Sequence, residues 1–332
     1  MIRIGLIGFG YWGPNLARNL MATPGVALAA IADNRAERRA VAASRYPQVR
    51  IVGDAEELIG DPGLDAVVVA TSVSTHFELS MAAVKAGKHV LVEKPLAASA
   101  VEAAALVEAA EHDQRVLMVD HTYAYTGAVA KMTEIIARGD LGEVCYYDSI
   151  RINLGLFQND VSVIWDLAVH DLSILQALLR KPFRTVQASG GCHLGSRLEN
   201  VAHLTLELEG GMQAHVNVSW IAPVKIRQTI VVGDRQMLVY DDLEPDEKIK
   251  IYDRGVSFDA QPASLLPEYR IGDMYAPRVD RREALANVCA HFAECIAHGG
   301  RPRTGGLEGL EIVRVLEAAQ ESLRSGGRQV TL

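Results

Sequence analysis

The stretch LIGFGYWGPN, residues 6–15, decides the fold of the first part of this chain. Its three glycines, Gly8, Gly10 and Gly13, have the spacing G-x-G-x-x-G. An apolar strand pattern precedes them and a helical pattern follows them. Such a turn brings backbone N–H groups and the positive end of a helix towards a pyrophosphate. The stretch therefore predicts a strand–turn–helix unit that binds a dinucleotide.

The second predicted strand, VALAAIAD at 26–33, ends on Asp33, which lies 20 residues after Gly13. Dinucleotide-binding units carry at this position the acid that binds the adenosine ribose. A carboxylate accepts hydrogen bonds from both ribose hydroxyls and repels a 2′-phosphate, so Asp33 favours NAD over NADP. Arg35 and Arg38 lie nearby in the sequence and keep NADP as the less favoured alternative.

Short apolar runs alternate with helical patterns through residues 1–120. The runs at 65–71, 89–95 and 115–120 have the composition of buried strands. Apolar strands that alternate with helices predict a parallel sheet covered by helices on both faces. We therefore expect an α/β fold in which residues 1–120 form an NAD-binding Rossmann domain around a doubly wound parallel sheet.

The pattern changes after residue 120. Between 184 and 259 several strands follow one another with alternating apolar and polar residues, which is typical of an antiparallel sheet with one covered face. Helices are expected at about 127–138 and 162–179, and the proline-containing residues 260–280 are expected to be irregular. Residues 121–332 are therefore predicted to form a C-terminal α+β domain with a large, mainly antiparallel open sheet, which binds substrate and mediates oligomerisation.

The composition argues against several classes of function. The formal net charge of −8 disfavours binding to nucleic acid, whose phosphates need a basic surface. No apolar run is long enough to span a bilayer, and the N-terminus does not have the layout of a signal peptide. The four cysteines are scattered without a C-x-x-C pair, so no disulfide framework or metal site is expected. We expect a cytoplasmic protein that binds neither a membrane nor a metal.

Four segments together resemble the Gfo/Idh/MocA family of sugar oxidoreductases: GFGYWG, AIAD, VVVATSVSTHFELSMAAVKAGKHVLVEKPLA and IWDLAVHDLSIL. The resemblance covers the first domain and at least the first third of the second. It implies that Lys94 of the E-K-P motif lines the active site with Asp166 and His170. It also implies a homodimer or homotetramer formed through the C-terminal sheet, in line with the apolar alternation of its strands.

A narrower similarity concerns the segments GYWGPNLARNL, LGLFQNDVSVIWDLAVHDLSIL and SWIAPVKIRQTIVVGDRQMLVYDDL. These segments are similar to the branch of the family that contains UDP-N-acetylglucosamine 3-dehydrogenases. The resemblance therefore predicts NAD-dependent oxidation of a ring hydroxyl, at C3 of a nucleotide-activated amino sugar such as UDP-N-acetylglucosamine. An inositol, cyclitol or free-sugar dehydrogenase is an alternative, and so is a redox-neutral epimerase with tightly bound NAD.

Oxidation of a secondary alcohol needs a base for the hydroxyl proton, while the cofactor takes the hydride. An imidazole, with an ordinary pKa near 6.5, is a better base at neutral pH than an amine near 10.4. On this basis His170 takes the proton and Lys94 holds the same oxygen by a hydrogen bond. The roles are exchanged if burial or a nearby positive charge favours a neutral lysine. Asp166 lies four residues before His170, on the same face of the predicted helix, and either orients the imidazole or binds a substrate hydroxyl.

Doubly wound sheets bind their ligands at the carboxyl edge, so residues that follow the strands supply the other cofactor candidates. Thr71, Ser72 and His76 follow the fourth predicted strand, and Glu93 ends the fifth. The predicted cofactor contacts are Gly8, Phe9, Gly10, Tyr11, Trp12, Gly13, Asp33, Asn34, Arg38, Thr71, Ser72, His76, Glu93 and Lys94.

The diphosphate of a nucleotide sugar needs positive groups, and guanidinium groups match phosphate oxygens. Arg151 and Arg227 on second-domain strands are candidates, although both are equally consistent with solvated strand faces. Tyr125 follows the last strand of the first domain and either reaches the substrate or only packs. The predicted substrate contacts are Lys94, Tyr125, Arg151, Asp166, His170 and Arg227.

Overall fold

The computed structural model describes residues 1–155, 157, 161–258 and 267–332. Residues 156 and 158–160, which belong to the segment LGLFQND, lie outside this description, as do residues 259–266. The described chain divides by its internal contacts into two compact units. The first unit comprises Met1–Tyr125 and Arg282–Arg314, and the second comprises Thr126–Arg281 and Val315–Leu332.

The first unit begins with alternating strands and helices. They are β1 (Ile2–Ile7), α1 (Gly13–Ala22), β2 (Val26–Ala32), α2 (Ala36–Arg45), β3 (Arg50–Val52), α3 (Glu56–Ile59), β4 (Ala66–Val69), α4 (His76–Lys85), β5 (His89–Glu93), α5 (Ala100–His112) and β6 (Leu117–Asp120). The strands are parallel and lie in the order β3-β2-β1-β4-β5-β6. This order is that of a doubly wound dinucleotide-binding sheet and confirms the predicted fold class.

The turn between β1 and α1 requires glycine at two positions. Gly8 has a φ of +96°, and a Cβ atom added there would lie 2.4 Å from the Ala70 carbonyl oxygen. A Cβ on Gly13 would lie 2.4 Å from the carbonyl oxygen of Gly8 itself. Real Cβ atoms do not approach backbone oxygens so closely, so the path of the loop depends on the absence of side chains at these two positions.

The second unit carries most of the remaining elements. They are α6 (Gly127–Ala137), β7 (Val144–Leu154), a π-helical turn (Ile164–Ala168), α7 (Val169–Leu179), β8 (Phe183–Gly191), β9 (Val201–Leu208), β10 (Gln213–Ser219), β11 (Ile221–Gly233), β12 (Met237–Asp241), β13 (Ile249–Phe258), β14 (Pro267–Tyr275) and, at the end of the chain, β15 (Val330–Thr331). Nine strands of the described residues form one sheet in the order β14-β13-β12-β11-β7-β10-β9-β8-β15. Neighbours are antiparallel except β7 and β10. Buried residues alternate with more exposed ones along β9 and β10, so the predicted mainly antiparallel sheet is confirmed.

One local expectation for the second unit was wrong, and one predicted helix is present but differs in its first turn. Within the region 260–280, expected to be irregular, residues 267–275 form β14, which pairs with β13. Its proline is the first residue of a strand at the sheet edge, where the missing N–H breaks no ladder hydrogen bond. The helix expected from about 162 begins as a π-helical turn, and only residues from Val169 onward are α-helical. Such turns are frequent at functional sites.

The segment Arg282–Arg314 contains α8 (Ala284–His298) and the start of α9 (Gly306–Arg324). Long-range contacts attach this segment to the first unit. The Arg18 guanidinium pairs with the Glu283 carboxylate at 2.6 Å, and Met118 in β6 forms an isolated β-bridge with Gly305. The domain boundary predicted at residue 120 assigned this segment to the C-terminal domain. Contacts between residues so distant in the sequence leave no local sequence pattern from which they could be predicted.

We expect Gly13→Ala to lower the midpoint of urea unfolding, because its methyl group clashes with the Gly8 carbonyl. Overpacking of this kind costs about 1–3 kcal/mol. Gly53→Ala is the matched control, since its Cβ would meet nothing nearer than the Arg39 side chain at 3.7 Å. The control should change the stability by less than about 1 kcal/mol. Equal destabilisation by both substitutions would contradict this account of the turn.

Candidate active site

Asp33 is fixed against the glycine loop. Its Oδ2 atom accepts a hydrogen bond of 2.7 Å from the Phe9 backbone N–H, and its side chain is only 4% exposed. Burial opposes ionisation of this carboxyl, but hydrogen bonds from Arg35 and from the Phe9 N–H outweigh it, so the pKa of Asp33 lies below its usual value. The acid therefore stands ionised just beyond the end of β2, at the carboxyl edge of the sheet.

Arginine side chains surround this carboxylate. Arg35 donates to Asp33 Oδ1 from its backbone N–H at 2.9 Å and from Nε at 3.2 Å. Arg39, which the sequence did not single out, donates to the carbonyl oxygens of Asp33 and Asn34, both at 2.9 Å. The Nε of Arg38 is buried and has no hydrogen-bond partner among the described residues. The site thus combines an acid suited to a ribose with cations close by.

His76 ties the end of β4 to the E-K-P motif. Its side chain is buried, with Nδ1 2.8 Å from the Pro95 carbonyl oxygen and Nε2 3.2 Å from that of Thr71. Burial lowers its pKa, the two carbonyls oppose this, and the charge of Lys94 adds to the lowering. The imidazole is therefore neutral at physiological pH and anchors the residue that follows Lys94. The ring thus links the ends of these two segments, and Ser72 is exposed beside it. The cofactor contacts expected of His76 and Ser72 stay predictions.

Two carboxyl groups meet at the ends of β5 and β6. Glu93 and Asp120 are register partners on these strands and their side chains lie within hydrogen-bonding reach of each other. Burial, and then the charge of Asp120, raise the pKa of Glu93 well above its usual value. Burial also raises the pKa of Asp120, against hydrogen bonds that include the Thr122 hydroxyl at 2.7 Å. Burial and the mutual repulsion of the two groups therefore favour the protonated form of one of them.

His121 follows Asp120 and is 1% exposed. Neither ring nitrogen has a hydrogen-bond partner among the described residues. Burial, and then the positive charge of Lys94, lower the pKa of His121 to about 3. Asp120 and His121 were missed by the sequence analysis, which treated this segment only as the end of a strand. The sequence feature that could have indicated them is their position at the carboxyl end of β6, the strand that pairs with β5, which leads into the E-K-P motif.

The glycine loop also approaches this cluster through Trp12. The Trp12 side chain lies near Asp120 and favours the ionised form of this carboxyl. Tyr11 is 82% exposed and stacks on Trp12 with ring centroids 6.3 Å apart. The side chain of Phe9 is buried, so this residue contributes only its backbone to the surface of the loop. The loop and the ends of β2, β5 and β6 therefore form one polar edge in the first unit.

The second unit carries Asp166 and His170. Asp166 lies in the π-helical turn, where its Oδ2 accepts a hydrogen bond of 3.1 Å from the buried Trp220 indole. His170 lies in the first turn of α7, and both side chains are half-buried. The π-helical turn alters the helical spacing on which their predicted common face was based. Trp220, in the segment noted for the narrower similarity, thus positions Asp166.

Three predicted substrate contacts have structural partners within their own units. Arg151 pairs with Asp171 at 2.7 Å, and the two side chains are 4% and 2% exposed. Arg227 lies 3.4 Å from an Asp242 carboxylate oxygen. The Tyr125 hydroxyl is 2.9 Å from His291 Nδ1, and burial raises its pKa. Tyr125 and Arg151 are therefore buried and paired within their own units. Their contacts with substrate stay predictions, and for Tyr125 this burial agrees with the packing alternative.

These residues fit the cofactor that the sequence predicted. Loop glycines without room for a Cβ, a helix beginning at Gly13, and an ionised Asp33 are the parts that a dinucleotide needs. The described residues contain no group of three or more His, Cys, Asp or Glu side chains that could hold a metal. Nor do they contain a helix of the length and apolarity that a membrane span requires. The expected cytoplasmic location stays a prediction.

Comparison with known proteins identifies both parts of the chain. Residues 2–121 match the model of the Gfo/Idh/MocA oxidoreductase family with its NAD-binding Rossmann fold, and residues 129–239 match the C-terminal domain of the same family. An uncharacterized oxidoreductase of Escherichia coli K12, YdgJ, is 31% identical over 260 residues, which are 74% of this chain and 73% of that protein.

Two further relatives span nearly the whole chain. The NAD-dependent scyllo-inositol 2-dehydrogenase of Bacillus subtilis is 25% identical over 338 residues, covering 98% of this chain and 95% of that one. Among solved structures, UDP-N-acetylglucosamine 3-dehydrogenase GnnA from Acidithiobacillus ferrooxidans is 25% identical, with a TM-score of 0.82 and 98% coverage of both chains. The sequence similarity and the fold therefore both indicate an oxidoreductase of this family.

We expect the free energy of unfolding to fall as the pH falls from about 6.5 towards 3, partly because of His121. The folded state keeps this imidazole neutral, whereas the unfolded chain protonates it near its ordinary pKa, so the unfolded state binds more protons in this window. Each such proton contributes a slope of up to about 1.4 kcal/mol per pH unit. His121→Asn should flatten the measured dependence, and the exposed His203→Asn serves as control. An unchanged slope in His121→Asn would refute this assignment.

Proposed function

We propose that this chain, a member of the Gfo/Idh/MocA family of oxidoreductases, oxidises a ring hydroxyl of a nucleotide-activated amino sugar, such as the C3 hydroxyl of UDP-N-acetylglucosamine. Oxidoreductases of this family act on CH–OH groups with NAD bound to a Rossmann domain. The observation that carries the NAD-dependent part is the Asp33 carboxylate, held by the Phe9 N–H at the edge of the sheet. The amino-sugar part is supported by the likeness to GnnA over 98% of both chains.

In the proposed mechanism the chain itself handles the proton and the developing charge. The bound cofactor supplies the hydride acceptor. His170 takes the hydroxyl proton, and the Lys94 ammonium donates a hydrogen bond to the same oxygen and stabilises its developing negative charge. This division of roles follows from the ordinary pKa values of the two groups, because an imidazole is a better base at neutral pH than an amine. Asp166, fixed by Trp220, orients the substrate or the imidazole.

A cyclitol or free-sugar dehydrogenase is the second candidate. It is supported by the likeness to scyllo-inositol 2-dehydrogenase over 98% of this chain. The two candidates differ in whether turnover needs the nucleotide of the substrate. A redox-neutral epimerase is distinguished from both because it produces no net NADH.

The proposal predicts NADH formation from NAD⁺ with UDP-N-acetylglucosamine, and none with N-acetylglucosamine, free sugars or inositols. The measurement is NADH absorbance with purified protein, with 2-oxoglutarate added in parallel to reveal cofactor that stays bound. Turnover of inositols would favour the second candidate. Conversion of the sugar without NADH would favour an epimerase.

Lys94→Ala and His170→Ala should each lower kcat on the active substrate by about 10²–10⁴-fold, the usual contribution of a positioned acid or base. NAD⁺ affinity, measured by titration calorimetry, should stay within about tenfold because the loop and Asp33 are intact. Lys85→Ala on α4 and His203→Ala on β9 make the same chemical changes elsewhere on the surface. Normal turnover by both active-site variants would contradict the assignment of Lys94 and His170 to catalysis.

We also propose that two copies of the chain associate through the second sheet. Val256 on β13 and Tyr269 on β14 are register partners, and Ile271 lies two residues beyond Tyr269 on the same side of its strand. Their exposed fractions are 49%, 74% and 83%. Apolar side chains gathered in this way on an exposed sheet are typical of protein–protein contacts.

Substitution of both Tyr269 and Ile271 by aspartate should shift the protein from a dimer or tetramer to a monomer in sedimentation velocity, because charges would be buried in the interface. Val101→Asp is the control, since this valine is 81% exposed on α5 of the first unit. A double variant that keeps the wild-type sedimentation coefficient would exclude this surface as the interface.

A further inference from the structure

The carboxyl pair of Glu93 and Asp120 has two oxygen atoms that lack a hydrogen-bond donor among the described residues. The Glu93 Oε1 and Asp120 Oδ2 atoms are both buried, and neither has a hydrogen-bond donor among the described residues. The other oxygens are engaged: Glu93 Oε2 accepts the Lys94 backbone N–H at 3.3 Å, and Asp120 Oδ1 accepts the Thr122 hydroxyl. A single proton held between the two carboxyls satisfies both of the remaining oxygens.

The proton belongs on Glu93. Asp120 accepts a hydrogen bond from the Thr122 hydroxyl, and the nearby Trp12 side chain also favours its ionised form. Among the described residues Glu93 accepts one long hydrogen bond, from the Lys94 backbone N–H, and it faces the charge of Asp120. Two carboxylates at hydrogen-bonding distance in a buried place do not both ionise without a further positive charge. In the free protein the pair therefore carries one negative charge.

Among the described residues, Lys94 is the charged group that acts on both carboxyls, while Arg18 and Glu283 act on the neighbouring Cys289. From the E-K-P segment Lys94 faces both carboxyls, and from the segment after β6 the neutral His121 stands near Lys94. From α8 Cys289 lies near Asp120, and burial together with that charge raises the pKa of its thiol, which stays protonated. Trp12 and Thr122 are uncharged. The Lys94 ammonium is thus the cation that acts on both members of the pair.

We propose that Glu93 and Asp120 hold one proton in the free protein and release it when the oxidised cofactor binds, so that the pair supplies a second negative charge to the cofactor edge. A doubly wound sheet binds its dinucleotide along the carboxyl ends of its strands, so bound NAD⁺ would add the positive charge of its ring to the edge that carries Lys94. The added cation favours ionisation of Glu93, whose carboxylic O–H bond breaks and whose proton passes to the buffer. NADH has a neutral ring and does not favour this release. Glu93 and Asp120 thereby act as positioning residues for Lys94 and the cofactor.

Proton release is measured by titration calorimetry near pH 7 in buffers of different ionisation enthalpy, without any sugar. Wild-type protein should release up to one proton per NAD⁺ and almost none per NADH. As the pH rises, the Kd for NAD⁺ should fall by up to about tenfold per pH unit, over the range in which the pair of the free protein retains its proton. Glu93→Gln should abolish the release, and the exposed Glu78→Gln on α4 should leave it unchanged.

The source of the proton is tested by comparing Glu93→Gln with Lys94→Met. Release that persists in Glu93→Gln but disappears in Lys94→Met would assign the proton to the lysine and overturn the proposal. Equal release with NAD⁺ and NADH would also overturn it, as would no release by the wild-type protein. Because no sugar is present, these results are independent of whether the proposed amino-sugar activity is found.

Infrared difference spectroscopy of the wild-type protein tests the same step without a variant that has to fold. The free protein should show the C=O stretch of a protonated carboxylic acid, which shifts in D₂O. Addition of NAD⁺ should convert this band into carboxylate bands, whereas NADH should leave it in place. An NAD⁺ difference spectrum without loss of a carboxylic acid band would contradict the proposal.

Discussion

The hydrogen bond from the Phe9 N–H to the Asp33 carboxylate is the interaction on which the cofactor edge depends. It joins the glycine loop after β1 to the residue after β2. The loop can reach Asp33 only because Gly8 and Gly13 carry no side chains. The same loop sets the start of α1 and brings Trp12 towards Asp120 at the end of β6. Backbone geometry, the helix N-terminus and the placement of charge are therefore consequences of one turn.

Charges along this edge are arranged by burial as much as by pairing. Asp33 is ionised because the loop and Arg35 donate to it, whereas Glu93 lacks comparable donors and its burial raises the pKa of its carboxyl. His76 and His121 stay neutral because they are buried near Lys94. The first half of the sheet thus presents an anion suited to a ribose, and the second half presents the Lys94 cation with a counter-charge that depends on protonation.

The sequence predicted the first sheet well because its signals are local. The glycine spacing, the apolar strands and Asp33 all lie within single strand–helix units. The π-helical turn at Asp166 and the attachment of Arg282–Arg314 to the first unit were not predicted, since they arise from packing between distant segments. The Asp120 carboxyl was missed for the same reason, because its importance comes from its register partner Glu93 on a neighbouring strand. Tyr125 was expected either to reach the substrate or only to pack, and the partner of its hydroxyl, His291, lies far along the chain, where no local pattern could indicate it.

The most direct test of the central claim is a pair of binding titrations of the wild-type protein, one with NAD⁺ and one with NADP⁺. An ionised Asp33, fixed by the loop, accepts the two ribose hydroxyls of NAD⁺ and repels a 2′-phosphate. The account therefore predicts that NAD⁺ binds at least about tenfold more tightly, a difference of about 1.4 kcal/mol. Equal or tighter binding of NADP⁺ would show that the arginines around Asp33, and not its carboxylate, determine the cofactor, and would contradict the account.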